Sequence, residues 1–307
     1  MKVYLNNINE SWVVDRLKDE WYEYNFDIST RKPKEADIIW ILTPWLWKNV
    51  RKSTLKKKKV VCSIYHIDFQ KFSDKDKKDF LKRESYVDEY HVISEKSKMQ
   101  LEQLTNKKIT SIPFWVNQNL WFPINDKNEI RKKYGLSEEN FYIGSFQRDT
   151  EGSDLKSPKL IKGPDRFIEI VSLKYSENKN TVVILTGKRR QYIISELEKL
   201  NIPYKYFEMV DFNDLNELYN VLDLYIVSSR VEGGPQAIVE CGLIKTPIIS
   251  TDVGVASEIL SSESIFNMEN FHSAKPNIEY ANKKSNLYTV PKGFDKYRNL
   301  FREIYES

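Results

Sequence analysis

The chain has 307 residues, of which 40% are hydrophobic and 30% charged, and its formal net charge is +4. That length supports two domains with separate cores, and the apolar content with seven tryptophans excludes a disordered chain. Two cysteines, both in apolar runs, and three scattered histidines argue against a disulfide framework and against a metal site.

No apolar run approaches transmembrane length, and residues 1–7 have strand character without a signal-peptide core, so the expectation is a cytoplasmic protein. Charge is unevenly shared. Residues 1–117 hold 23 Lys+Arg against 17 Asp+Glu, while the remainder holds 25 against 27. The basic half suits an anionic acceptor or a peripheral contact with an anionic membrane surface. Nucleic acid needs a stronger bias and is not expected as a partner.

In chain order, residues 2–5 form a first strand. Ser11 is placed to cap a helix whose Trp12, Val13, Leu17, Trp21 and Tyr24 mark one apolar face. Residues 38–42 and 60–64 are fully apolar runs of strand length, alternating with polar segments in the βα manner. Arg51, Lys52 and residues 56–59 form a basic run that fits a solvated face. His66 follows the strand 60–64 and is expected at a cleft; His91 and His272 lack such a placement and are assigned to structure. Residues 90–93 form another strand, after which Ser94 caps a helix carrying Met99, Leu101 and Leu104. Residues 108–113 close this half, which contains no glycine; the first is Gly135.

Asp126 and Glu129 begin a helix that ends at Gly135. Residues 141–146 form the first strand of the second half, followed by a long polar loop. Lys162-Gly163-Pro164 then opens a helix with Phe167, Ile168 and Val171 inward. A lysine at a helix mouth beside glycine is suited to neutralise a diphosphate leaving group. Strands 181–186 and 204–209 follow, with a helix through Leu215, Leu218 and Leu222.

Residues 222–260 are the organising stretch. A strand over 222–227 meets the polar break Ser228-Ser229-Arg230. Glu232-Gly233-Gly234-Pro235 then leads into residues 236–244, where Ala237, Ile238, Cys241 and Ile244 recur at helical spacing. Pro235 fits the first helical position, and residues 247–249 close a βαβ unit. In an open α/β sheet, ligands sit beyond the carboxyl ends of the strands. Glycines admit a ligand close to the backbone, and the helix mouth suits a phosphate. Glu232 and Glu240 add acceptors for sugar hydroxyls. A diphosphate flanked by two sugar rings satisfies all of these features.

Glu232 and Glu240 with seven residues between them, Gly233-Gly234-Pro235, Thr251-Asp252-Val253-Gly254 and Glu258 resemble the C-terminal signature of the retaining glycosyltransferases of family 4 (glycosyl transferases group 1). Residues 91–123 resemble that family's bridge between domains. The resemblance implies an α/β GT-B fold, with two Rossmann-like domains, a cleft between them and a shortened N-terminal domain. It divides the chain into an acceptor-side domain over 1–117, a nucleotide-sugar domain over 118–290, and a helix over 291–307 crossing back to the first. It implies transfer of a sugar from a nucleotide-diphosphate sugar to a hydroxyl of a glycan or glycolipid acceptor, with retention, in glycan or surface polysaccharide synthesis. It implies no metal, and no cofactor beyond the donor as co-substrate.

Residue by residue, the resemblance gives His66, Lys162 and Glu232 catalytic roles. It surrounds the donor with Gly144, Arg148, Lys162, Glu232, Gly233, Gly234, Pro235, Gln236 and Glu240, the first glutamate on the sugar and the second on the ribose. Val210-Asp211-Phe212 would border the nucleobase. Two departures stand out. Ser145 occupies the place where the family often has an arginine, leaving Arg148 and Lys159 as candidates for that charge. Asn6-Asn7-Ile8-Asn9 replaces the family's glycine-rich acceptor loop. A nucleotide-sugar epimerase or hydrolase, and a non-catalytic nucleotide-sugar-binding module, remain as alternatives.

Overall fold

The computed structural model describes residues 1–6 and 13–307. Two units emerge, Met1–Trp115 with Val290–Ser307, and Val116–Thr289, each built on its own parallel sheet. Ser11, Trp12 and the Asn7-Ile8-Asn9 part of the expected acceptor loop lie outside the described residues.

In the first unit, β1 (Val3–Leu5), β2 (Ile38–Ile41), β3 (Lys59–Ile64), β4 (Glu89–Val92) and β5 (Ile109–Ser111) pair in sequence order, all parallel. Every residue of β2 is buried, because both faces of this sheet are covered. Successive side chains along the strand therefore serve different cores. Ile38 and Trp40 join one with α1 (Val13–Tyr24) and the closing helix Asp295–Glu306. Ile39 and Ile41 join another, which takes in Leu55 of α2 (Lys52–Leu55), Phe80 of α3 (Asp74–Glu84) and Leu101 of α4 (Glu95–Leu101). Val14, Leu17 and Trp21 are inward residues of α1, so Val14 fills the inward position expected for Val13, which packs only partly. Trp21 meets Trp40 edge-on at 5.2 Å between ring centroids and Phe301 at 5.4 Å.

Ser94 caps α4 as the sequence implies, accepting from the Ser97 amide at 3.1 Å. Ser73 closes a full capping box on α3 with Asp76. His91 lies fully buried between the Ser63 hydroxyl, 2.8 Å from Nδ1, and the Ile112 carbonyl, 2.8 Å from Nε2. Trp40 Nε1 donates to the same hydroxyl at 2.8 Å. Ser63 consequently donates to Nδ1, which leaves the Nε2 proton for the carbonyl and fixes a neutral imidazole.

The second unit runs α5 (Lys127–Lys133), β6 (Phe141–Ser145), the short hairpin β7 (Thr150–Glu151) and β8 (Ser157–Pro158), α6 (Pro164–Glu177), β9 (Thr181–Thr186), α7 (Gln191–Lys199) and β10 (Tyr204–Phe207). It continues through α8 (Phe212–Asn220), β11 (Leu224–Val227), α9 (Gln236–Ile244), β12 (Ile248–Thr251), α10 (Ala256–Ile259), β13 (Ile265–Phe266) and α11 (Ile278–Ser285). Strand order is β10-β9-β6-β11-β12-β13, and every pairing is parallel. The chain starts in the middle at β6, works outward to β10, then returns to the other side of β6. That reversal between β6 and β11 opens a crevice beyond their carboxyl ends.

Two local readings change. Leu222 ends neither helix nor strand: it fills the space beside Gly144, where an added Cβ would stand 2.3 Å from a Leu222 methyl. Pro235 precedes the helix instead of opening it, because its ψ of 113° is not helical; α9 begins at Gln236. Among the described residues no helix is long and apolar enough to cross a membrane.

Burial pushes the His91 pKa down to about 4. An unfolded chain would protonate this group near pH 6.5, so between 6.5 and 4 the unfolded state binds the extra proton and stability is lost as pH falls. The full effect is about 3 kcal/mol. Denaturant titrations at several pH values should show that loss in the parent and its absence in His91→Gln, whatever the variant's absolute stability. Parallel pH profiles would contradict the neutral buried imidazole.

Candidate functional site

Three loops leave the carboxyl ends of neighbouring strands in the second unit. The first follows β6, passes through the β7–β8 hairpin and returns in the turn Leu160–Lys162 before α6. The second spans residues 228–235 between β11 and α9, and the third follows β12 to α10. Two glycines let these loops meet backbone to backbone. A Cβ on Gly163 (φ +63°) would lie 1.9 Å from the Ser228 carbonyl oxygen, and one on Gly254 (φ +49°) 2.1 Å from that of Gly233.

Hydrogen bonds lock the contact. Ser228 Oγ donates to the Gly163 carbonyl at 2.8 Å, the Arg230 amide to the Ile161 carbonyl at 2.8 Å, and Thr251 Oγ1 to the Ser229 carbonyl at 2.7 Å. The Arg230 guanidinium grips both Asp165 carboxylate oxygens, at 2.7 and 2.5 Å, and holds that carboxyl below its ordinary pKa.

Around this seam the sequence-predicted residues gather in part. Lys162 Nζ forms an ion pair with Glu232 Oε1, with side-chain exposures of 21% and 11%. Ser229 Oγ sits 3.3 Å from that same carboxylate oxygen and 3.2 Å from Gln147 Oε1, while Gln147 Nε2 donates to the Lys162 carbonyl at 2.8 Å. The lysine is held at both ends, its backbone by Gln147 and its ammonium by Glu232. The sequence reading left out Gln147 and treated Ser229 only as part of a break. Their position just past β6 and β11, at the chain reversal, was the available signal.

Gly233 is buried, and Gly234, Pro235 and Gln236 are half-buried along the turn into α9. Gly163 and Pro235, the residues that precede α6 and α9, make no side-chain cap, and both helix mouths bring positive potential to the seam. Glu240 belongs to a second network. It is 5% exposed on α9 and accepts from the Tyr219 hydroxyl at 3.0 Å; burial and this carboxylate push the phenol pKa well up.

The remaining predicted residues lie elsewhere or at the margin. Gly144 is inside the sheet, and its missing side chain answers to Leu222. Arg148 is exposed and its Nε donates to the Thr150 carbonyl at 2.9 Å. Lys159 is half-buried beside Lys162. Asp211 caps α8 by accepting from the Asp214 amide at 2.9 Å, and Phe212 packs edge-on against Trp121. In the first unit, His66 is half-buried just past β3, at the carboxyl edge of that sheet. Arg190 is a residue the sequence reading passed over. Fully buried, it pairs with Asp149 and donates to the carbonyls of Ser145 at 2.6 Å and Thr186 at 2.8 Å, joining the ends of β6 and β9.

Among solved structures, the chain is similar to HepE of Anabaena in complex with UDP-glucose, at 14% identity and a TM-score of 0.76, covering 98% of this chain and 99% of that one. It is also similar to sucrose-phosphate synthase from Thermosynechococcus elongatus, at 13% identity and a TM-score of 0.72, covering 98% and 81%. At these identities the likeness concerns fold, which is the Rossmann-like α/β architecture of GT-B glycosyltransferases. No curated protein matches the sequence. The family model described as glycosyl transferases group 1 matches residues 126–289, more than half of the chain and the whole stretch from α5 to α11 that builds the Lys162–Glu232 seam. The chain therefore belongs to the glycosyl transferases group 1.

Proposed function

We propose that the protein transfers a sugar from a nucleotide-diphosphate sugar to a hydroxyl of a glycan or glycolipid acceptor, with retention of anomeric configuration, in glycan or surface polysaccharide synthesis. The observation that carries this reading is the Lys162–Glu232 pair set between two uncapped helix mouths at the reversal of the second sheet. Cation and amides suit a diphosphate, and the carboxylate suits sugar hydroxyls. HepE, of like fold, was solved with UDP-glucose, with UDP, and with UDP and glucose.

In this reaction the donor diphosphate takes Lys162 from Glu232, and the released carboxylate accepts hydrogen bonds from the sugar. The bond between the anomeric carbon and the phosphate oxygen breaks, with its electron pair leaving on the phosphate. The acceptor oxygen bonds to that carbon from the same face, and its proton passes to the departing phosphate oxygen. Lys162 and the helix mouths stabilise the charge that develops there. Glu240, held by Tyr219, is assigned to the nucleotide ribose. His66 is a catalytic candidate on the family resemblance alone. The reading includes no cofactor beyond the donor. It gives the donor to the second unit and the acceptor to the first, in a cytoplasmic protein whose basic first unit suits an anionic membrane surface.

Lys162→Ala should weaken diphosphate binding and slow transfer on the order of a hundredfold, as expected for one electrostatic contact on a leaving group. Steady-state kinetics equal to the parent's would remove Lys162 from the site. Release of radiolabelled sugar from the donor without an acceptor, at the rate seen with one, would show hydrolysis in place of transfer.

The two glutamates should fail differently. Glu240→Ala is expected to weaken nucleoside diphosphate and nucleotide sugar alike, because the ribose is common to both. Glu232→Ala should keep nucleoside diphosphate binding, since it frees Lys162, yet depress transfer. Hydrogen bonds to a charged group contribute roughly 1.5–3 kcal/mol, which is about ten- to more than a hundredfold. Calorimetry alongside product assays separates the cases, and two variants behaving like the parent would sink the donor-site reading.

A further inference from the structure

In the first unit, side chains tie together the exits of β1, β2 and β3, which are parallel neighbours. Asn6 directly follows β1 and is fully buried. Its side-chain nitrogen donates to the Thr43 hydroxyl at 2.8 Å and to the Thr43 carbonyl at 3.1 Å, and its side-chain oxygen accepts from the Thr43 amide at 3.2 Å. That bonds the exit of β1 to the exit of β2. On the other flank Tyr65 directly follows β3, and its hydroxyl donates to the Leu42 carbonyl at 2.8 Å. The Tyr65 carbonyl accepts from the Ser97 hydroxyl on α4. The carboxyl edge of this sheet is fixed by polar contacts alone.

The turn Pro44–Asn49 leaves from this edge and carries two tryptophans with opposite fates. Trp47 is buried, and its Nε1 donates to the Asp79 carboxylate at 3.0 Å, which anchors the turn to α3. Trp45 is 47% exposed. Its ring lies 5.9 Å from that of Tyr65 between centroids, and Tyr65 lies 5.6 Å from Phe114 of the core. A chain of rings thus runs from the core to a half-exposed indole. Apolar surface left in water is unfavourable, and the braced turn keeps it there. The surroundings of the ring are polar: Lys48 and Asn49 on the same turn are exposed, and His66 beside Tyr65 is half-buried. An acyl chain needs a contiguous apolar patch, which this turn does not provide.

We propose that Trp45 is a sugar-stacking residue for the acceptor, taking the apolar face of a pyranose ring. The proposal rests on the reading that gives the acceptor to the first unit. It narrows that acceptor to one held by its sugar and not by a lipid. Each ring carbon of a pyranose bears oxygen, so its C–H groups carry partial positive charge and meet the negative face of an aromatic ring favourably. The hydroxyls at the rim of the sugar then reach the polar surroundings of the indole.

Lactose, cellobiose and maltose are the probes, because they present pyranose rings without a lipid or a charge. Saturation-transfer NMR titrations should show the parent binding at least one of them. Trp45→Leu keeps apolar bulk but has no aromatic face, and it should weaken that binding about tenfold or more. Trp45→Phe keeps a ring and should stay within about threefold of the parent. Trp45→Met serves in place of Trp45→Leu where the branched side chain disturbs the turn. Equal sugar binding by Trp45→Leu and the parent, equal loss in Trp45→Phe and Trp45→Leu, or no binding of any disaccharide by the parent would each overturn the proposal. So would vesicles of equal parts phosphatidylcholine and phosphatidylglycerol that bind the parent but not Trp45→Ser, since the ring would then belong to a lipid contact. The donor site is tested apart from this. Pyrophosphate affinity should be the same in the parent and every Trp45 variant, and unchanged affinity in Lys162→Ala would overturn the donor-site reading whatever the sugar titrations show.

Discussion

The approach of Gly163 to the Ser228 carbonyl sets the geometry of everything at the carboxyl edge of the second sheet. With room for no side-chain carbon between them, the mouth of α6 and the loop after β11 share a hydrogen-bonded seam. Lys162 directly precedes the glycine, and Glu232 follows Ser228 by four residues. Their ion pair is therefore a consequence of backbone packing, with side-chain reach only finishing it. Gly254 repeats the arrangement against Gly233. Either position with a side chain would be strained twice, by its positive φ and by the carbonyl opposite.

A lysine and a glutamate paired in a partly buried seam stabilise each other at the expense of hydration. In the proposed reaction this makes donor binding an exchange of partners. The diphosphate gains Lys162 while Glu232 loses it, and only the hydroxyls of the attached sugar restore partners to the carboxylate. A nucleoside diphosphate that has lost its sugar leaves Glu232 uncompensated, so the same pair favours release of that product over retention. Ser229 and Gln147 limit how far either group moves, because they tie the carboxylate and the lysine backbone to the two strand ends.

The strands were the most legible part of the chain. The central strands are covered on two faces, so β2, β9 and β11 appear as largely apolar runs; Thr181–Thr186 matches its run to the residue, and the helix Gln236–Ile244 matches its apolar spacing. α3 escaped notice because its sequence, rich in lysine and aspartate, buries only Phe80 and Arg83 and so leaves no apolar stripe. The β7–β8 hairpin has two residues per strand, too few to show alternation. At the site, Lys162 and Glu232 were legible because glycines and strand ends mark them. Gln147 and Ser229 were not, since a polar pair formed across two loops has no trace in local spacing. Gly144 has a further reason for lacking a side chain that local sequence does not show: it accommodates Leu222.

The buried Asp149–Arg190 pair shows how the fold fixes a loop that has no apolar anchor of its own. Residues 152–156 are exposed and contribute no core, so the insertion between β6 and α6 would hang loosely if its base were free. Arg190 prevents this by bonding the Ser145 and Thr186 carbonyls together with Asp149, which ties the loop to the ends of β6 and β9 at once. A buried ion pair of this kind contributes little net stability, because desolvation offsets most of its attraction, but breaking it strands a charge. Its effect is on geometry. Asp149 also carries the carbonyl that receives the Lys159 amide, so the backbone of the turn that leads into α6 is fixed at the strand ends, and the exposed tip of the hairpin can vary without disturbing the seam at its base.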